Sequence, residues 1–580
     1  MSDKEHLNSS GKSFLRGALF LTLGMMTVKV IGALFKIPLS NMITEEGMGY
    51  FSTAYSFYNV LFSITASGLP VAVSRTVSES CSLGDSRAAR RVLYAALPLF
   101  MAIGVFGTLV MLLFAPFYTN AVENPGALLP MLMLAPSILL CCVSSAIRGY
   151  FEGMCDMLPT TVSQVLEAAV KLAFGLTGAE HAMRYGAKII ASLPFSGCFQ
   201  VWNGYVLGAA GGIAGVTLGS AVSALYLVFK VIGKKSGKKQ ADRDGKGFRS
   251  MASVTKRLSL TALPTTLGAA AVSLSGLIDS SFMQTGTAKI MSTAPSVILE
   301  MYSGSIPEDV LEVSSSIPNY LFGCYNMALT LFMLVPSVTQ AFAMSALPSV
   351  TRAYTKGSAA ELKKAVETVL RVTFMFAVPA GLGLSVLAKP AALLIYGERP
   401  GTEIIARSLE IMGVASIFAA VTTPLGSIMQ AVGHIELPVW INMLGLVIKV
   451  VLNFRLVGIP QLNILGGGIS TLISYFVIAA LEILMLNRAV GLKIDLKRSL
   501  VLPLIAGSMC AAYAKATYRV QCRFADTGRC SALLPIIVAV IIYTVTLIIT
   551  GTIGREDIDL LGAGEKNTKR CRKHLKKQGG

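Results

Sequence analysis

Charge is scarce in this chain. Asp, Glu, Lys and Arg make up only 14% of its 580 residues, where a soluble domain carries about 25%, so a string of ordinary soluble enzyme domains is excluded. Histidine occurs four times, as His6, His181, His434 and His574. None of the four sits in the middle of an apolar run, which leaves Ser-His-Asp chemistry and His-based metal sites without their central group. The ten cysteines contain no Cys-x-x-Cys pair. Cys141 and Cys142 read as small packing residues within an apolar run, and whether Cys522 and Cys530 pair across one expected outer loop is left open. No nucleophile elbow, phosphate-cradling P-loop or strand-borne Gly-x-Gly-x-x-Gly is present. The sequence therefore predicts no enzyme, no metal site and no cofactor, with Na+ or H+ left open as a coupling ion. Without an ATPase domain, active transport would draw on an ion gradient, the membrane potential or downstream consumption.

Apolar residues are what the chain has, at 53%, spread along its whole length, and this excludes disorder. They form long continuous runs without the short alternating segments of a membrane β-barrel. A helix needs about 20 residues to cross the hydrocarbon. The expected fold is an all-α polytopic membrane protein of about 14 transmembrane helices, placed near 15–42, 50–78, 92–116, 127–149, 158–178, 204–232, 258–285, 318–347, 366–388, 405–431, 437–458, 464–487, 499–518 and 531–553. The first run is too long for a cleavable signal and reads as a retained helix.

The scarce charge is one-sided, with 50 basic against 31 acidic residues and a net charge of +19. Nucleic acid is the reflex partner for such an excess, but the distribution speaks for the positive-inside rule. Basic residues gather in alternate connections: Arg75 to Arg91, Lys230 to Arg257, Arg352 to Lys364, Arg488 to Arg498, and the tail from Arg555. This pattern predicts both termini in the cytoplasm, with the tail close to anionic membrane lipid.

Two halves show matching marks. Arg75 closes the second span as Arg352 closes the eighth. Gly153 and Pro159 precede Lys171 at nearly the offsets by which Gly433 and Pro438 precede Lys449. Gly24 and Gly32 are spaced like Gly268 and Gly276. The expected organisation is a cytoplasmic N-terminus (1–13), an N-lobe with its basic loop (14–250), a C-lobe (251–490), two extra helices (491–554) and a basic cytoplasmic tail (555–580). The two pseudo-symmetric six-helix lobes would be related by an axis along the membrane normal, an arrangement in which transporters commonly place the substrate path between the halves.

Charge at membrane depth is costly, about 2.5–3.5 kcal/mol for a central lysine, so each such residue needs a reason. Lys29 lies about 20 Å past Arg16 at helical rise, and Lys36 is two turns further on the same face. Together they predict the wall of a watered, electropositive cavity, although snorkelling would also serve for Lys36. Matching the glycines sets both lysines opposite serines and leaves Asp279 one residue away, available for a cation, a proton or a lysine. Glu167 and Lys171 stand at i, i+4 and can pair. Lys449 takes the place of Lys171 in the second half and is a weaker cavity candidate. Arg75 and Arg352 read as interfacial anchors or gating residues. Arg148, grouped with them as an interfacial or gating residue, opens the turn Arg148-Gly149-Tyr150-Phe151-Glu152-Gly153 between two helices.

Several segments are similar to those of a known family: Phe14-Leu15-Arg16-Gly17, Lys36-Ile37-Pro38-Leu39, Glu46-Gly47-Met48-Gly49, Gly68-Leu69-Pro70-Val71-Ala72-Val73-Ser74, the Arg148–Gly153 turn and Pro159-Thr160-Thr161-Val162-Ser163-Gln164. As a set they resemble the polysaccharide-transporter family of the multidrug/oligosaccharidyl-lipid/polysaccharide exporter superfamily, in its branch of Gram-positive lipid II flippases and sporulation proteins. The match covers the first five spans well and the seventh to twelfth more loosely. It implies two lobes around a cavity that opens alternately to each side, undecaprenyl-pyrophosphate-linked sugars as substrates, and basic residues at the positions of Lys29 and Lys36 for the diphosphate. Glu152 replaces a common Gln, and 179–203 departs from the pattern.

The expected function is translocation of a lipid II-like peptidoglycan precursor or related polysaccharide unit across the cytoplasmic membrane, alongside the cell-wall synthesis machinery. A cation-coupled multidrug antiporter of the same superfamily is one alternative, which two cavity lysines oppose. A membrane glycosyltransferase or polymerase is another, with Glu300, Glu308, Asp309 and Glu312 as its only acidic cluster.

Overall fold

The structure, a computed structural model, describes residues 2–82, 86–191, 203–233, 251–434, 436–491, 497–524 and 528–549. The basic loop from Lys234 to Arg249, the stretch 192–202 and the tail from 555 fall outside the described residues. Among those described there is no strand. The helices are α1 (Ser2–Phe62), α2 (Leu69–Ser82), α3 (Ser86–Ala121), α4 (Leu128–Gly153), α5 (Met157–Ala191), α6 (Gly204–Gly233), α7 (Met251–Thr293), α8 (Pro295–Met301), α9 (Glu308–Glu312), α10 (Ile317–Phe332), α11 (Leu334–Thr355), α12 (Ala359–Val386), α13 (Ala388–Tyr396), α14 (Thr402–Ala431), α15 (Glu436–Leu456), α16 (Ile464–Val490), α17 (Leu502–Phe524) and α18 (Leu533–Ile549). Twelve stretches among the described residues are long and apolar enough to cross a membrane. The first of them, Gly24–Cys81, covers both the first and second expected spans, whereas α5 is not among the twelve. This is an all-α polytopic membrane protein, as the long apolar runs dictate, because a helix satisfies its own backbone in lipid.

The boundaries differ from the sequence expectation in three informative places. The break between the first two spans is a sharp kink inside α1, at Thr44 with φ 59° and ψ −170°, where a loop was expected. A β-branched residue at positive φ is strained, and the surroundings hold it. The carbonyls left open at the end of the first arm are satisfied by Arg399, whose guanidinium donates to Ser40 O at 3.3 Å and Asn41 O at 3.0 Å. The fifth helix runs on to Ala191 through a stretch expected as loop, supported by an Arg184–Glu180 ion pair at 2.6 Å. The expected eighth span is two helices, α10 and α11, with the break just ahead of Pro336, whose ring cannot follow a regular turn.

The chain divides into two compact units. The first comprises 1–330, 398–408 and 438–474. Within it α5 and α6 pack backbone to backbone along the stripe Gly211, Gly215, Gly219. A Cβ at Gly215 would strike the Cα of Gly175, and one at Gly219 would come to 2.6 Å from Glu167 O. Small residues four apart give lipid-embedded helices this close approach. The Arg148–Gly153 motif, expected as a turn, is the last turn of α4, and its two glycines let α4 lie against the Pro70 and Ser74 carbonyls of α2. The second unit comprises 331–397, 409–437 and 475–580. There α12 packs on α17 and α17 on α18, around Leu387, Cys510, Ala514 and Ala539. Tyr543 OH donates to Met375 O at 2.6 Å. Cys522 and Cys530 are both free and exposed.

Candidate functional site

The first unit carries the membrane-depth cations. Lys29 is exposed on α1, and Lys36 is half-buried two turns along. Lys171, on α5, reaches the segment of α1 that carries Lys36. Its ammonium lies 4.7 Å from the ring centre of Phe35 and 5.3 Å from that of Tyr55, so it touches both arms of the kinked α1. The rings belong to a ladder running Phe35, Phe51, Tyr55, Tyr58, Phe62, with successive centroids 5.5–6.4 Å apart. The ladder stiffens the wall on which the lysines stand. Cation–π contact supports an ammonium at about 0.5–2 kcal/mol without consuming its charge. Among the described residues, none of Lys29, Lys36 and Lys171 has a carboxylate partner.

The expected Glu167–Lys171 pair does not form. Glu167 accepts from Arg148 at 2.8 Å, and the same guanidinium reaches Ser163 at 3.0 Å and Ser223 at 2.8 Å. Ser220 donates to the other carboxylate oxygen at 3.3 Å. A planar guanidinium with several fixed donors holds a carboxylate and two hydroxyls together better than a single ammonium does. Arg148, expected at an interface or gate, is thus a half-buried tie between α4, α5 and α6. Arg75 is exposed on α2. Arg352 is exposed in the last turn of α11, where a cation suits the helix dipole.

The second-half lysine has different company. Lys449 on α15 donates to Asp279 Oδ2 on α7 at 2.7 Å and to Ser275 Oγ at 2.8 Å. Both side chains of the ion pair are only 7% exposed. Asn453 Nδ2 donates to Asp279 Oδ1 at 2.9 Å, Tyr325 OH reaches Oδ2 at 3.4 Å, and Ser470 donates to Asn453 Oδ1. Lys449, placed with the cavity lysines by the sequence, is instead buried and neutralised. Its acid is 170 residues away, too far for spacing to reveal.

A second cluster went unseen in the sequence because it carries no charge. Asn124, in the α3–α4 connection, donates to Gln284 of α7 at 2.6 Å and to Asn319 of α10 at 2.8 Å. Gln284 in turn donates to Thr53 of α1 at 3.0 Å, and Asn319 to Glu46 O at 2.9 Å. All four side chains are buried. Uncharged amides near the ends of apolar runs were the available signal.

The polysaccharide biosynthesis protein family model matches residues 14–354 of this chain, and the MatE model matches 313–455. Among curated proteins the chain is 26% identical to "Lipid II flippase MurJ" of Bacillus subtilis (strain 168), covering 85% of this chain and 87% of that one. It is 22% identical to "Stage V sporulation protein B" of the same organism, over 84% and 86%. Among solved structures it aligns with "Lipid II flippase MurJ, inward closed conformation" at a TM-score of 0.63, with 12% identity, 93% of this chain and 98% of that one.

Proposed function

Because the chain belongs to the polysaccharide biosynthesis protein family and is a multi-pass membrane transporter, not an enzyme, we propose that it is a flippase for undecaprenyl-pyrophosphate-linked cell-envelope oligosaccharides, of the kind of lipid II. The observation that carries this reading is that Lys171 rests on the ring of Phe35, the residue next to Lys36, while neither lysine has a carboxylate partner among the described residues. Like charges drawn together away from bulk water repel, and a doubly charged diphosphate relieves the repulsion. Lys29, seven residues before Lys36 and about 10 Å along the helix, would guide the head group inward. The lipid tail would stay among acyl chains while the polar head crosses between two lobes by alternating access. The basic segments would face the cytoplasm, with both termini there. The curated relative named a lipid II flippase supports this substrate class.

The test is reconstituted flipping of lipid II against other polyprenyl-pyrophosphate sugars, with and without an imposed potential. A charge-assisted contact to phosphate is worth about 1.5–3 kcal/mol, so Lys36→Ala and Lys171→Ala should each slow transport by roughly tenfold or more at an unchanged level of folded protein. Wild-type rates from both variants reject the site. A substrate carrying no diphosphate but moved equally fast rejects the substrate class.

A further inference from the structure

Asp279 is a buried carboxylate held by an ammonium, an amide N–H and a hydroxyl. Lys449 Nζ donates to Asp279 Oδ2 and to Ser275 Oγ, Tyr325 OH reaches the same carboxylate oxygen, and Asn453 Nδ2 donates to Oδ1 while its own Oδ1 accepts from Ser470 Oγ. Thr471 Oγ1 stands behind them, 3.3 Å from the tyrosine hydroxyl. Four helices contribute: α7, α10, α15 and α16. A carboxylate with hydroxyl oxygens beside it, here those of Ser275 and Tyr325, is what a small hard cation selects. A carboxylate taken out of water also demands a counter-charge, since the effective penalty is several kcal/mol per ion. Here the counter-charge is an ammonium covalently tethered to α15.

We propose that Lys449 is the resident cation of this cradle. It occupies the place a free monovalent cation would take, making the transporter indifferent to Na+. The cradle then belongs to the protein's permanent architecture, and the energy for transport comes from a source other than a cation binding at Asp279. The contrast with Lys171 supports this assignment. At the matching place in the first half the lysine has no acid and rests on aromatic rings, whereas in the second half the acid and its oxygens are assembled and the ammonium is spent on them. The claim concerns the ion, and stands whichever lipid-linked sugar is carried.

Removing the tethered ammonium while keeping the oxygens should convert the cradle into a site for a free cation. The experiment uses the purified full-length chain in detergent, with thermal unfolding and equilibrium binding of radioactive Na+ as readouts. Wild type should show the same Tm in Na+, K+ and choline chloride at equal ionic strength, and no saturable Na+ binding. Lys449→Ser should gain about one bound Na+ and a Na+-dependent rise in Tm of roughly 2–4 °C, both lost in Lys449→Ser/Asp279→Asn. Saturable Na+ binding to wild type that Asp279→Asn abolishes overturns the proposal, as does a well-folded Lys449→Ser that binds none. If Lys449→Ser does not fold, the wild-type comparison still decides, because a Na+-dependent Tm in wild type that Asp279→Asn removes contradicts a site already filled.

Discussion

Lysines at matching offsets, Lys171 and Lys449, end in opposite electrostatic states, and the difference lies in which acid each can reach. Lys171 has Glu167 one turn away, yet that carboxylate is held by Arg148 and two serines. The i, i+4 spacing established reach and nothing more, and the competing donor on another helix was invisible in one dimension. The depth of Lys29, Lys36 and Lys171 in apolar runs was legible, since charge is expensive there. Their partners were not, because every decisive contact joins residues far apart in sequence. Glu167 gives a direct check. Glu167→Ala strands a half-buried guanidinium and should destabilise the protein by about 2 kcal/mol. Glu167→Gln keeps one acceptor for Arg148 and should cost clearly less. Thermal unfolding of the two variants in detergent reads the order, and equal losses would mean that the carboxylate charge carries the whole contribution and the neutral acceptor kept by Gln adds nothing.

Among the elements, glycine carries more of the architecture than the apolar pattern suggested. Apolar periodicity located the helices but gave no hint of the Thr44 kink, which is fixed by Arg399 capping carbonyls 358 and 359 residues earlier in the chain. It also ended the fifth helix too soon, because the charged stretch after 178 looked like loop while its residues form an i, i+4 pair. The stripe Gly211, Gly215, Gly219 was readable as small residues four apart, but only the structure shows which backbone it meets. Gly215→Ala places a methyl against the Cα of Gly175, and backbone cannot yield as a side-chain tip can. The expected cost is about 1–3 kcal/mol, seen as a lower Tm and reduced yield of monodisperse protein. Gly276→Ala on α7, where a Cβ would meet nothing within 4 Å, should be neutral or slightly stabilising through helix propensity. A similar loss in both variants would show that the cost is generic and unrelated to the α5–α6 contact.

For the molecule as a whole, the proposed cycle has a structural consequence at the amide cluster. Thr53, Asn124, Gln284 and Asn319 tie α1, the α3–α4 connection, α7 and α10 together in buried hydrogen bonds. The sequence places all four at the ends of expected spans on the side opposite the basic segments. An opening to that side that parts α7 and α10 from α1 would break these bonds, whose net strength of about 0.5–1.5 kcal/mol each is small enough to be reversible. The fold class was legible because hydrocarbon admits few solutions, whereas the amide cluster was not, because amides carry no charge to betray a site. Asn124→Ala leaves Gln284 and Asn319 each short of a donor and should favour the opened state by about 1–3 kcal/mol. Ser280 is fully buried and accepts from Gln284 at 3.1 Å, so a cysteine there reports on the opening. In Ser280→Cys, labelling by a membrane-impermeant maleimide from the outer face should be slow, and adding Asn124→Ala should raise it roughly fivefold or more. A rate left unchanged by Asn124→Ala, or by Asn319→Ala, would mean that this end of the protein stays closed throughout and that the substrate leaves elsewhere.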